Sequence, residues 1–100
     1  MFKTPKKIFW VGSSYKDLLE LPKDVRRTFG YALSLAQEGE RYDLVKVLKG
    51  FGGAGVLEVI ADNFGDTYRA VYTVKFSEAI FVLHCFQKKV SKALQHQKKI

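Results

Sequence analysis

Apolar residues recur along this chain with two different periods, and the change between them divides it into a helical front and a stranded back. Val25, Phe29, Ala32, Leu33 and Ala36 fall at helical spacing, which gathers them on one face and predicts an amphipathic helix that stops at Gly39. Ser14-Tyr15-Lys16-Asp17 has the spacing of a capping box, with the Ser14 hydroxyl accepting the Asp17 amide and the Asp17 carboxylate reaching back, and it predicts an earlier helix running toward Leu21. Pro22 separates the two, because its ring fixes φ and it has no amide to donate, yet it suits the first turn of the second helix. Ahead of this hairpin, residues 8–11 predict a short strand ended by Gly12. Past the charged loop at 40–43 the pattern alternates, predicting three strands at 56–61, 67–74 and 79–86. Their connections are short enough to make them antiparallel neighbours. The expected fold class is α+β, a helical hairpin packed on a small, mainly antiparallel sheet.

Length and composition narrow the class. One hundred residues suffice for one hydrophobic core and not for two, so residues 1–100 are expected to form a single domain. A hydrophobic share of 47% argues for a folded globule and against disorder. The longest apolar stretches span only a few residues, far short of a bilayer crossing. The basic N-terminus precedes an apolar run, Ile8-Phe9-Trp10-Val11, too short for a signal peptide, so a cytoplasmic location is expected. Cys85 is the sole cysteine and is expected to fill core in a reducing compartment.

Charge adds a direction. The net charge is +7, and no Asp or Glu occurs before Asp17 or after Glu78, so both ends of the chain are purely basic. Such a field draws polyanions, with nucleic acid first and an acidic protein partner second.

Motifs for cofactors fail on context. Gly50-Phe51-Gly52-Gly53-Ala54-Gly55 matches G-x-G-x-x-G, but a strand follows it where a dinucleotide site needs a helix, so no nucleotide cofactor is expected. Two histidines, one cysteine and scattered carboxylates show no metal-ligand spacing, and there is no G-x-S-x-G. What remains are charged residues inside strands: Glu58, Arg69 and His84. With Ala61 opposite Asp66 and Lys75 opposite Glu78, Arg69 would face Glu58 on one side and His84 on the other, aligning three polar groups. The plainer account is that each snorkels or pairs at a sheet edge. Lys46-Val47-Leu48-Lys49 and Gln87-Lys88-Lys89 bring basic pairs to strand or loop ends, where solvated charge is the simpler reading.

These pieces together resemble the phage-derived, HigB-like branch of the RelE/ParE toxin superfamily. The resemblance rests on Leu21-Pro22-Lys23-Asp24-Val25-Arg26-Arg27, Gly30-Tyr31-Ala32-Leu33, Lys46-Val47-Leu48-Lys49-Gly50-Phe51-Gly52, Tyr68-Arg69-Ala70-Val71-Tyr72 and Val82-Leu83-His84-Cys85-Phe86-Gln87-Lys88-Lys89, and covers nearly the whole chain. It implies two N-terminal helices on a curved antiparallel sheet and ribosome-dependent cleavage of mRNA without a metal or other cofactor. It also implies a cognate antitoxin, commonly a helix-turn-helix protein. By the same resemblance Arg69 is an active-site cation, with Lys46 and Lys49 before the central strand and Lys88 after the last one.

RNA supplies its own nucleophile, so cleavage needs a base for the 2′-hydroxyl, cations for the developing phosphorane charge and an acid for the leaving 5′-oxygen. Arg69 fits the phosphate clamp, because its planar fork holds two oxygens and keeps its proton. Lys46 or Lys49 competes with Glu58 for the base, and Lys88 competes with His84 for the acid. Lys89 and Lys92 are expected to bind RNA; Tyr72 or Phe86 offers a ring to stack on a base, although core packing is the simpler reading for both. A ParE-like, non-catalytic gyrase inhibitor and a basic RNA- or protein-binding module without activity are the alternatives.

Overall fold

A computed structural model describes residues 4–50 and 55–88 of the chain. Seven elements follow in order: β1 (Lys7–Trp10), α1 (Ser14–Leu19), α2 (Lys23–Gln37), β2 (Val45–Val47), β3 (Val56–Asn63), β4 (Asp66–Thr73) and β5 (Ala79–Lys88). The five strands make one sheet in the order β1-β5-β4-β3-β2. Neighbours run antiparallel except at one edge, where β1 lies parallel to β5 with Ile8 beside Ile80 and Trp10 beside Val82.

Both helices pack on the same side of this sheet, α1 against β5 and α2 chiefly against β3. The stripe predicted for α2 is buried throughout, with Phe29 and Ala32 wholly inaccessible and Val25, Leu33 and Ala36 nearly so. They meet Leu57, Val59, Tyr68, Ala70, Tyr72, Ile80, Val82 and Cys85 from the strands, and Leu18 from α1 completes the cluster. Full burial of one such side chain stabilises the fold by about 1.5–3 kcal/mol, which is why the 3.6-residue period in α2 holds its orientation. Pro22 sits at the N-cap of α2, its carbonyl accepting the Arg26 amide at 2.9 Å. The helix ends where Gly39 takes φ +80° and donates its amide to the Ala36 carbonyl at 3.0 Å.

Ser14 does not cap α1. Ser13 holds the N-cap position and donates its hydroxyl to Asp17 at 2.7 Å, while the buried Ser14 hydroxyl donates to the Val82 carbonyl at 3.1 Å and ties the helix to β5.

The strand registers also differ from the sequence expectation. The β3–β4 hairpin closes with only Phe64 and Gly65 between the paired Asn63 and Asp66, so Glu58 faces Val71 and Arg69 faces Ile60. Ala61 lies opposite Tyr68 rather than Asp66. Both turn residues have positive φ, +50° at Phe64 and +84° at Gly65, which is the two-residue turn that matches the twist of a hairpin. Lys75 and Glu78 fall in the connection between β4 and β5 and face no strand partner. Between β4 and β5, Tyr72 faces Val82 but Val71 faces His84, so Leu83 is an extra residue that bulges from β5. Arg69 therefore faces Phe86, not His84. β2 was not expected as a strand, being three residues long with a lysine at its centre.

Of the glycine run at 50–55, Gly50 and Gly55 are described, and Gly55 has a specific reason to be glycine. It has φ +62°, and a Cβ there would come within 3.2 Å of the Lys75 Cβ and 3.3 Å of its backbone nitrogen.

Candidate active site

Strand residues alternate between faces, so the ones that do not enter the helix-covered core must face the other way. Register then assembles a charged strip on that far face. Lys46, Glu58, Val71 and His84 stand side by side on β2, β3, β4 and β5. One step along, Ile60, Arg69 and Phe86 form the next row, and after it Asp62, Thr67 and Lys88. Five of the residues singled out by sequence, namely Lys46, Glu58, Arg69, His84 and Lys88, thus share one face, with Phe86 among them.

The centre of the strip is an ion pair across a diagonal. Arg69 Nη1 donates to Glu58 Oε1 at 2.6 Å, and the two side chains are 18% and 8% exposed. A hydrogen bond between charged partners in so dry a setting is short and strong, and it fixes the plane of the guanidinium. Arg69 Nε is buried with no hydrogen-bond partner among the described residues, leaving a donor in need of an acceptor. His84 is exposed and its ring lies 4.6 Å from that of Phe86, tilted by 32°. On the outer row the Thr67 hydroxyl donates to Asp62 at 2.8 Å. The arrangement offers a carboxylate and an imidazole two strands apart, about 10 Å at the usual strand spacing, with a guanidinium between them.

Other expected site residues fall elsewhere. Tyr72 is wholly buried on the helix side, so it cannot stack on a nucleobase. Burial raises its phenol pKa above the ordinary value, an effect partly opposed by the Arg41 charge. Lys49 is exposed and lies beyond the Leu48 amide, whose bond to the Val56 carbonyl is the last between β2 and β3 among the described residues. It is not part of the strip. Lys89 and Lys92 lie outside the described residues. Cys85 is buried, with its thiol pushed up to about 11, first by burial and then by the negative charge of Asp17. No group of three or more His, Cys, Asp or Glu side chains able to hold a metal ion occurs among the described residues.

Sequence reasoning passed over an aromatic cluster on the same face. Phe9 on β1 lies beside Phe81 on β5, with ring centroids 5.4 Å apart and planes at 24°, and Phe76 meets Phe81 edge-on at 5.2 Å. The signal was the unbroken apolar run Ile80-Phe81-Val82-Leu83, which a one-sided strand does not need.

A helical hairpin covering one face of a five-stranded sheet, with a charged strip on the other, defines a domain of the RelE fold. The isolated E. coli RelE toxin aligns with a TM-score of 0.69 and 20% identity over 94% of this chain and 96% of that one. A doubly substituted E. coli RelE in the free state gives 0.65 and 19% over 95% and 96%. A chain of the Mycobacterium tuberculosis toxin-antitoxin complex RelBE2 gives 0.55 and 17% over 84% and 99%. At these identities the likeness establishes the fold. Residues 16–100 match the family described as "Phage derived protein Gp49-like (DUF891)", and the chain belongs to that family. No curated protein matches it.

Proposed function

We propose that this chain is the toxin of a type II toxin-antitoxin system, of the HigB-like branch, and that it cleaves mRNA on the ribosome in the cytoplasm. The observation that carries this reading is the convergence of Glu58, Arg69 and His84, from three successive strands, on one sheet face. The fold shared with RelE toxins and the Gp49-like family membership support it.

In the proposed reaction Arg69 holds the scissile phosphate with the donors that Glu58 leaves free, and Lys46 and Lys88 add positive charge as the phosphorane forms. Glu58 takes the proton from the 2′-hydroxyl, whose oxygen attacks the adjacent phosphorus. The bond to the 5′-oxygen breaks, and His84 supplies its proton. The products are a 2′,3′-cyclic phosphate and a 5′-hydroxyl. A carboxylate can accept a proton and an imidazolium can give one, which suits these two tasks. An antitoxin, commonly a helix-turn-helix protein in the resembling family, would neutralise the chain by covering this face.

The test is induction of the protein alone in bacteria, with transcript ends mapped beside an Arg69→Ala control. Growth arrest with new 5′-hydroxyl ends inside translated codons is expected for the parent only. Equal cleavage by the variant removes Arg69 from the site, and stabilised gyrase-DNA breaks without new transcript ends replace the nuclease with a gyrase inhibitor.

A further inference from the structure

From the cluster of Phe9, Phe81 and Phe76 we infer a second RNA subsite, a platform on which a nucleobase beside the scissile phosphate stacks. The inference rests on the RNA reading above and extends it to a surface that the charged strip does not include.

Two observations of the rings themselves support it. The rings share the face of the strip, since Phe9 and Phe81 are register partners whose neighbours Ile8, Trp10, Ile80 and Val82 turn toward the helices. They are also unusually open for a packed cluster, with Phe9 47% and Phe76 41% exposed, so flat aromatic area is left for a ligand. A cluster serving only to pack would close over its own rings.

Charge distinguishes single-stranded RNA from an apolar peptide as the occupant. The Lys75 ammonium stands 5.3 Å from the centre of the Phe76 ring. Lys7 borders the cleft of about 310 Å³ beside Phe9, together with Thr4, Pro5 and Glu78. Two cations against one carboxylate suit a phosphate chain laid across aromatic rings, the combination by which sheet surfaces hold single strands.

Position completes the argument. Phe81 lies three residues before His84 on β5, about 10 Å at strand rise, and Phe86 lies just beyond His84. Aromatic rings therefore flank the proposed proton donor on both sides, one set at the β1 edge and one beside Arg69. A short single strand crossing the strip would stack at each end while its central phosphate met Arg69.

The experiment separates binding from cleavage. A 2′-O-methyl RNA octamer, which has no nucleophile, carries 2-aminopurine at each position in turn and is titrated with the parent, Phe9→Leu, Phe76→Leu and Arg69→Ala. Stacking should quench the fluorescence at one or two positions in the parent. Each phenylalanine variant should lose that quench and bind about 10-fold more weakly, and Arg69→Ala should keep the quench at the positions it still binds. Two phenylalanine variants guard against a loss of fold in either one. No quench in the parent, or equal quench and affinity in both phenylalanine variants, overturns the platform and leaves a protein as its occupant. Persistent quench in a protein that yields no transcript cleavage would instead overturn the nuclease and leave the platform standing.

Discussion

Glu58 and Arg69 meet at 2.6 Å although they do not face each other, the carboxylate reaching diagonally from opposite Val71 to the arginine two residues earlier on β4. The pair joins stability to the proposed chemistry. Arg69→Ala strands a carboxylate that is only 8% exposed, and is expected to cost about 2–3 kcal/mol in chemical unfolding. Glu58→Gln keeps an acceptor for the guanidinium and should cost about 1 kcal/mol. If Glu58 is the base, the same substitution lowers transcript cleavage about 10²–10⁴-fold, far beyond its effect on folding. Comparable losses of folded protein and of cleavage would instead make Glu58 a structural partner.

His84 provides the complementary case. Because it is exposed, His84→Ala should shift stability by no more than about 0.5 kcal/mol. Cleavage should nonetheless fall about 10²-fold or more, measured as transcript ends per translated message. Undiminished cleavage would transfer the acid role to Lys88.

The β3–β4 turn has room for improvement. Phe64 is 96% exposed and holds φ +50°, a conformation that costs a side chain with a Cβ about 1–2 kcal/mol. Asparagine is favoured there, so Phe64→Asn should raise stability by about 1 kcal/mol, seen as a higher urea midpoint with an unchanged slope. A lower midpoint would show that Phe64 makes contacts that its exposure conceals.

Alkaline pH should weaken the fold. The Cys85 thiol rises from 9.0 to about 11 in the native state, so the folded chain holds this proton more tightly than the unfolded one. Its contribution is complete below pH 9 and is lost as pH climbs through about 11. The raised Tyr72 pKa acts in the same direction. Unfolding midpoints measured across this range should fall, and native Cys85 should resist alkylation at pH 8 until denaturant is added.

The sequence made α2 legible because one buried face repeats across four turns, and a misplaced boundary hardly disturbs such a repeat. The charged strip was legible for a different reason. The expected β3–β4 register was wrong by two residues, and a shift of two keeps every side chain on its face, so Glu58 and Arg69 still converged. What stayed hidden depended on partners distant in sequence. β2 owes its existence to pairing with β3, and its central Lys46 reads as loop charge until Glu58 stands beside it. For Tyr72 the simpler of its two readings, core packing, is the one the structure bears out.

The extra residue at Leu83 carries an arithmetic consequence. Extended backward from Tyr72 and Val82 without interruption, the ladder would set Arg69 beside Cys85, turning the imidazole into the helices and the thiol outward. Between Val82 and His84 the bulge absorbs one surplus residue, so losing that residue leaves the alternation that points His84 outward. Deleting Leu83 alone should therefore keep Val71 opposite His84 and spare cleavage, whereas straightening the ladder with Leu83 retained would turn the imidazole inward.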